Sequence, residues 1–139
     1  MKYWMLIWLV LSTGALAAPR DQGTPGQFDF YVLSLSWSPT FCLTHPDNEQ
    51  CSGKGYGFVL HGLWPQYARG GWPASCAPQS QLSREALDKG ATLFPTRALL
   101  KHEWAKHGTC SGLEPLAYLD KTDAALGAVV IPEQLQPFN

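Results

Sequence analysis

Residues 102–107 read His102-Glu103-Trp104-Ala105-Lys106-His107, and they place two imidazoles, a carboxylate and an ammonium group within six positions. A helix is predicted from about Thr96 to His107, with Gly108 as its C-terminal stop. At about 100° per residue, the four ionisable side chains fall within roughly 140° of one another, whereas Trp104 and Ala105 point elsewhere. The segment therefore predicts a helix with a titratable face along a cleft and an apolar face in the core.

A second segment, residues 57–66, reads Gly-Phe-Val-Leu-His-Gly-Leu-Trp-Pro-Gln. A short buried strand is predicted over 57–60, so that His61 follows its end and Gly62 lets the backbone turn and a ligand approach. A hydrogen-bonded structural histidine is the alternative at this position. Trp64 is predicted to be either a core residue or an aromatic face on which a base can stack.

Together, the two segments supply the groups that phosphoryl transfer within RNA needs. One imidazole takes the proton of the 2′-hydroxyl, the other protonates the departing 5′-oxygen, and fixed positive charge stabilises the phosphorane. A pair of histidines can hold one neutral and one protonated ring near neutrality without a metal. The pair His61 and His107 therefore predicts RNA cleavage with a bell-shaped pH–rate profile and no cofactor.

Residues 102–107 have two other interpretations. Zinc peptidases carry two histidines in the pattern H-E-x-x-H, but one extra residue separates His102 from His107, and no third ligand follows at family spacing. A solvated helix face is the other alternative, with Glu103 paired to Lys106 or His107 at a small gain in stability. The second histidine segment favours catalysis over both.

The remaining pattern predicts one domain. A largely buried strand is predicted over 28–37, ended by Ser38-Pro39, and a turn-rich loop leads from it to the strand before His61. Ser83 predicts the start of a short helix that Gly90 ends, and a further helix is predicted over 115–126. No linker or repeat divides the chain, so a single domain is expected over 18–139.

The N-terminal residues 1–17 combine one basic residue, an apolar run and a small-residue step, which is typical of a signal peptide cleaved near Ala17. A retained membrane anchor is the weaker interpretation, because the run is shorter than the roughly 20 residues of a membrane span. We expect the mature chain to be secreted or periplasmic and not to be bound to a membrane. Its net charge changes from -1 to -2 when Lys2 is removed, which excludes an extended electrostatic clamp for nucleic acid.

Four cysteines in an exported chain favour two disulfides over free thiols or a metal site, and the count alone leaves three pairings open. A zinc site would want close pairs such as C-x-x-C, which these cysteines do not form.

The chain resembles the ribonuclease T2 family, whose two signatures appear as residues 58–65 and 102–110. The resemblance implies an α+β fold, an antiparallel sheet packed with helices, and cleavage of single-stranded RNA to 3′-phosphate ends through a 2′,3′-cyclic phosphate. No cofactor, no metal and no obligate protein partner is implied, so a monomer is expected.

The same resemblance assigns roles to individual residues. It implies His61 and His107 as the acid/base pair, Glu103 and Lys106 as stabilisers of the transition state, His102 as a phosphate ligand, and Trp64 as a base contact. The sequence leaves open which histidine is the base of the first step, and we favour His107 as the base and His61 as the acid. It also implies the disulfides Cys42–Cys51 and Cys76–Cys110.

Three departures from the family pattern limit what the resemblance implies. Leu99 replaces an aromatic residue, and Ser36 occupies a polar base-contact position, so base preference cannot be transferred. Family members usually continue beyond residues 131–133 with further strands, so the C-terminal strands of the sheet are expected to be missing here, which would leave an unpaired edge and exposed apolar surface. A T2-like binding protein without turnover is the alternative function.

Overall fold

The computed structural model describes residues 23–77 and 79–136, so the predicted signal peptide lies outside the described residues. The regular elements, in chain order, are β1 (Phe30–Trp37), α1 (Ser38–Thr44), β2 (Phe58–Gln66), α2 (Arg84–Leu93), α3 (Arg97–Lys106) and α4 (Pro115–Gly127). Single 3-10 turns lie at Glu49–Cys51, Gly108–Ser111 and Glu133–Leu135. The α+β class predicted from the sequence is confirmed. Within the described ranges, no helix is both long and apolar enough to cross a membrane.

The two strands form an antiparallel pair with an irregular register. Ser34 is opposite Gly62, but Leu35 is opposite Leu60, so His61 has no partner on β1. This is a β-bulge, in which one strand carries an extra residue and its side chains are redirected. The strand predicted to end at residue 60 therefore continues to Gln66, and His61 lies inside it rather than after it.

The bulge decides which side chains of β2 reach the core. Side chains alternate along a regular strand, so residues three apart point to opposite faces. Leu60 and Leu63 are nevertheless both buried, at 2% and 3% exposure. The extra residue between them makes this possible, and it leaves His61 and Trp64 free to line the same cleft.

Three helices cover the core face of the sheet. Leu60 and Leu63 pack there with buried residues of the helices and of the segments between them: Ala86, Phe94, Leu100, Trp104, Tyr118 and Leu119. The polar atoms of the buried aromatic rings are satisfied, because the Tyr118 hydroxyl donates to the Leu63 carbonyl and the Trp104 indole N–H to the Ser80 carbonyl. On the other face of β1, Phe30 and Val32 are exposed. Each strand has one neighbouring strand in the described part of the chain.

The helix predictions are partly confirmed. Ser83 caps α2 by accepting from the backbone N–H of Ala86, and α4 ends one residue beyond the predicted 115–126. The prediction that Gly90 ends α2 is wrong, since the helix runs on to Leu93. Gly90 is instead a packing residue, because a Cβ there would collide with the side chain of Leu100.

Two further predictions need correction. The loop expected after Pro39 begins as helix α1, since proline is favoured in the first turn of a helix. Gly108 follows α3, as predicted, but it begins a 3-10 turn, and it does not have the positive φ of a helix-ending glycine. The close ring of Trp104 leaves no room for a Cβ at Gly108.

The structure contains both disulfides implied by the family resemblance, Cys42–Cys51 and Cys76–Cys110. The first links α1 to the 3-10 turn after it. The second links the segment between β2 and α2 to the turn that follows α3. The segments that carry His61 and His107 are therefore held together covalently as well as by the core.

Candidate active site

A cleft of about 260 Å³ lies between β2 and α3. All six residues proposed from the sequence as catalytic or substrate-binding line it, together with two others that the sequence analysis did not identify: His61, Trp64, Gln66, Trp72, His102, Glu103, Lys106 and His107. Gln66 follows Trp64 by two positions on the same strand face, which is a signal that could have found it. Trp72 comes from a loop whose path the sequence does not indicate.

Glu103 lies buried beneath the cleft, with only 1% of its surface exposed. Its Oε2 accepts a hydrogen bond of 2.6 Å from the Trp64 indole N–H, and its Oε1 lies 3.4 Å from Nε2 of His61. Burial raises the pKa of this carboxyl, but the contacts with His61 and Trp64 and the nearby His107 outweigh it and hold the pKa below its usual value. Glu103 is therefore a fixed negative charge at neutral pH.

This placement argues against the solvated-face interpretation of residues 102–107. Glu103 forms its ion pair across to His61 on β2, and within the described residues it forms none with Lys106 on its own helix. A charge pair at helical spacing would leave the carboxylate in water. The residues with solvent-exposed surface are instead His102 and Lys106, which lie at the rim of the cleft.

Trp64 contacts three of the ionisable residues. In addition to its bond to Glu103, its ring stacks on the imidazole of His107 with centroids 5.1 Å apart and planes at 28°. It meets the ring of His61 edge to face, at 5.6 Å and 82°. A Cβ on Gly62 would collide with both the Glu103 carboxylate and the Trp64 indole, so this arrangement requires glycine at position 62. Trp64 thus orders the cleft as well as lining it.

His107 is the C-cap residue of α3 and is only 4% exposed. Its Nδ1 is buried and has no hydrogen-bond partner among the described residues. Burial, followed by the positive charges of Lys106, His102 and His61, lowers the pKa of His107 from 6.5 to about 4, although Glu103 opposes the shift. His107 is therefore a neutral imidazole at neutral and mildly acidic pH.

His61 occupies a different environment. Its side chain is 42% exposed, and both ring nitrogens have partners. Nδ1 lies 2.9 Å from the Ser36 hydroxyl, and Nε2 faces Glu103. In its protonated form the ring donates to both. The two histidines therefore differ in the way an acid and a base must differ: the ring of His107 is buried and neutral, and the ring of His61 lies beside a carboxylate.

A second cavity of about 290 Å³ adjoins the first and shares His61 and His102 with it. Its other lining residues come from β1, α1, the following turn and α3: Ser36, Phe41, Asn48, Gln50, Thr96, Ala98 and Leu99. Within residues 23–77 and 79–136, no group of three or more His, Cys, Asp or Glu side chains could hold a metal ion.

The chain is similar to known ribonucleases. The model of the ribonuclease T2 family matches residues 28–126. A ribonuclease from Aeromonas hydrophila is 48% identical over 118 residues, covering 81% of this chain and 51% of that protein. Extracellular ribonuclease LE from Solanum lycopersicum is 33% identical, over 60% of this chain and 43% of its own length.

Solved structures share the fold. The crystal structure of RNase NT in complex with 5′-AMP is similar with a TM-score of 0.58 and 29% identity, over 70% of this chain and 55% of that chain. The chain spans about half the length of the curated relatives it matches.

Proposed function

The chain belongs to the ribonuclease T2 family, and we propose that it cleaves single-stranded RNA without a metal, giving 2′,3′-cyclic phosphate and then 3′-phosphate ends. The observation that carries the proposal is the contrast between two histidines in one cleft. His107 is buried and neutral, whereas His61 is half-exposed and faces the buried carboxylate of Glu103. Acid–base catalysis by two imidazoles needs one ring to accept a proton while the other donates one.

His107 is the base of the first step. A neutral imidazole in the cleft takes the proton of the 2′-hydroxyl as that oxygen forms its bond to phosphorus. The burial that lowers the pKa of His107 to about 4 keeps the ring free of a proton in mildly acidic solution. Nδ1 of the ring is buried and has no hydrogen-bond partner among the described residues, so Nε2 is the nitrogen that takes the proton.

His61 is the acid of the first step. As the bond between phosphorus and the 5′-oxygen breaks, Nε2 of His61 transfers its proton to the leaving oxygen. The carboxylate of Glu103, 3.4 Å from Nε2, stabilises the protonated ring before transfer. In the second step the roles reverse, with His61 taking a proton from water and His107 returning its proton to the 2′-oxygen, so the enzyme is regenerated without net change.

Lys106 supplies positive charge at the rim of the same cleft, which His102 also lines. The phosphorane carries one more negative charge than the ground state, and cations placed beside it stabilise it selectively. Lys106 acts as the stabiliser and His102 as a phosphate ligand. Local positive charge is needed here because the chain as a whole carries a net charge of -1.

Aromatic rings account for the preference for single strands. Trp72 is 54% exposed beside the cleft, and an unpaired base can stack on such a face, whereas a base inside a duplex cannot. The indole N–H of Trp64 is already bonded to Glu103, so Trp64 has only its ring face to offer to a base.

The same set of observations supports an exported protein. The structure contains two disulfides, and disulfides persist in oxidising compartments such as the periplasm or the extracellular medium. One of the relatives is an extracellular ribonuclease by name. Together with the predicted signal peptide, these features lead us to propose secretion or export to the periplasm, with single-stranded RNA as the partner of a monomer.

The direct test is digestion of single-stranded RNA by the purified mature chain in EDTA, with the product ends identified by mass spectrometry. We expect cyclic phosphate followed by 3′-phosphate ends from the wild type, and loss of both with His107→Ala. His45→Ala is the matched control, since His45 is an exposed histidine that lines neither cavity. A folded wild-type chain that leaves RNA intact would overturn the proposal and favour a binding protein without turnover.

A further inference from the structure

We propose that Ser36 is a positioning residue that fixes the ring of His61, so that Nε2 is the nitrogen that exchanges protons in the cleft. The inference rests on the proposed function, since it concerns the residue assigned as the acid. Ser36 lies on β1, outside both histidine segments, and its Oγ is 2.9 Å from Nδ1 of His61.

The need for such a contact follows from the β-bulge. His61 has no partner in the strand ladder, and 42% of its side chain is exposed. The edge contact with Trp64 does not prevent the imidazole from rotating about its Cβ–Cγ bond. A half-turn about this bond exchanges the positions of Nδ1 and Cδ2. The hydrogen bond to Ser36 distinguishes the two orientations, because a carbon at that position would leave the hydroxyl unpaired.

A hydroxyl is suited to this position because its oxygen accepts a hydrogen bond while its own proton can point elsewhere. When His61 is protonated, Nδ1–H donates to Ser36 Oγ while Nε2–H faces Glu103. After Nε2 has given up its proton, Nδ1–H keeps the same partner. The contact with Ser36 therefore persists through the transfer, and the ring keeps one orientation in both charge states.

The groups that face His61 from the neighbouring elements fit this division of labour. Glu103 from α3 contacts Nε2, and Ser36 from β1 contacts Nδ1. Among the described residues, His102 lines both adjoining cavities but forms no bond to the ring. Ser36 also lines the second cavity, where the family resemblance places a base contact. The geometry assigns its hydroxyl to His61 instead.

Two variants separate these roles. Ser36→Ala removes the hydroxyl, and Ser36→Thr keeps it on a side chain that strands favour. Ser34→Ala is the matched control, since Ser34 is two residues upstream on β1 and forms no side-chain hydrogen bond with any described residue. For Ser36→Ala we expect kcat on a dinucleotide substrate to fall about 10-fold with KM changed less than about 2-fold. Ser36→Thr should recover most of the rate, and Ser34→Ala should behave as wild type.

A second measurement needs no RNA. In ¹H–¹⁵N spectra recorded where His61 is protonated, the Nδ1–H proton should be visible in the wild type, in Ser36→Thr and in Ser34→Ala, because a hydrogen bond slows its exchange with water. In Ser36→Ala it should disappear. An Nδ1–H signal that survives in Ser36→Ala would overturn the inference, as would a change confined to KM or to base preference, which would mark Ser36 as a base contact. An inactive wild type would overturn the proposed function, while the spectra would still decide the orientation of His61.

Discussion

Titration of His107 should make the folded chain less stable as the pH falls from 7 to 5. The pKa of His107 is about 4 in the folded chain and its ordinary value is 6.5. Below pH 6.5 the unfolded chain therefore binds a proton at this position that the folded chain does not bind, and stability is lost as the pH falls. Each pH unit corresponds to about 1.4 kcal/mol, so the loss from this residue reaches about 2 kcal/mol at pH 5 and about 3 kcal/mol at pH 4.

Urea unfolding followed by tryptophan fluorescence at pH 7, 6 and 5 measures this loss. Glu103 stays ionised over this range, because its pKa is lowered too. His107→Gln and His107→Asn both remove the titrating ring, and the difference in pH dependence between wild type and variant isolates it from the other histidines. Between pH 7 and pH 5, the free energy of unfolding should fall by about 2 kcal/mol more in the wild type than in either variant. Parallel curves for wild type and variants would refute the buried, neutral state of His107.

Three other outcomes follow from the same geometry. Trp64→Phe keeps an aromatic ring against His107 but removes the N–H donated to Glu103. The buried carboxylate then loses a charged hydrogen bond, so urea unfolding should show a free energy of unfolding lower by about 1.5–3 kcal/mol. Steady-state kinetics should show a lower kcat. Unchanged stability would contradict the role given to this bond. Gly62→Ala places a Cβ against Glu103 and Trp64, and thermal unfolding should show a loss of at least about 2 kcal/mol. Gly127→Ala is the control, since Gly127 lies at an open position and, like Gly62, has no positive φ. The profile of log kcat/KM against pH should rise through about pH 4 as His107 loses its proton. A profile that is flat between pH 3 and pH 5 would contradict the assignment of the base.

The sequence was enough to predict which ionisable residues share one side of α3, because helical spacing alone brings them there: His102, Glu103, Lys106 and His107. It did not reveal how deeply these residues lie. Glu103 and His107 are buried, whereas His102 and Lys106 are exposed, and this division depends on where β2 crosses the helix. Spacing within one element carries no information about its distance from another.

The largest error concerned β2. Gly62 was expected to let the backbone turn, so the pattern predicted a strand that stops before His61. In the structure, pairing with the whole length of β1 extends β2 to Gln66. The bulge at His61 and the contact with Ser36 both arise from that pairing, and a bulge leaves no signature in a single sequence when the extra residue is polar.

The predictions for α2 failed for a related reason. Glycine is usually a helix terminator, but Gly90 lies within α2 because Leu100 of α3 approaches too closely for any side chain. A glycine kept for close packing and a glycine kept for its backbone freedom look the same in the sequence. The disulfide pairing, by contrast, was available from the family resemblance and is confirmed.

The assignment of acid and base is tested most directly with a substrate whose leaving group needs no proton. In a dinucleotide with a bridging 5′-sulfur, the thiolate departs without general-acid assistance, so an acid variant should lose little activity on it. We expect His61→Ala to cleave this substrate at a rate near that of the wild type while remaining strongly impaired on the 5′-oxygen substrate. His107→Ala, which lacks the base, should be strongly impaired on both. Equal impairment of His61→Ala on both substrates, or recovery of His107→Ala on the sulfur substrate, would contradict the assigned roles.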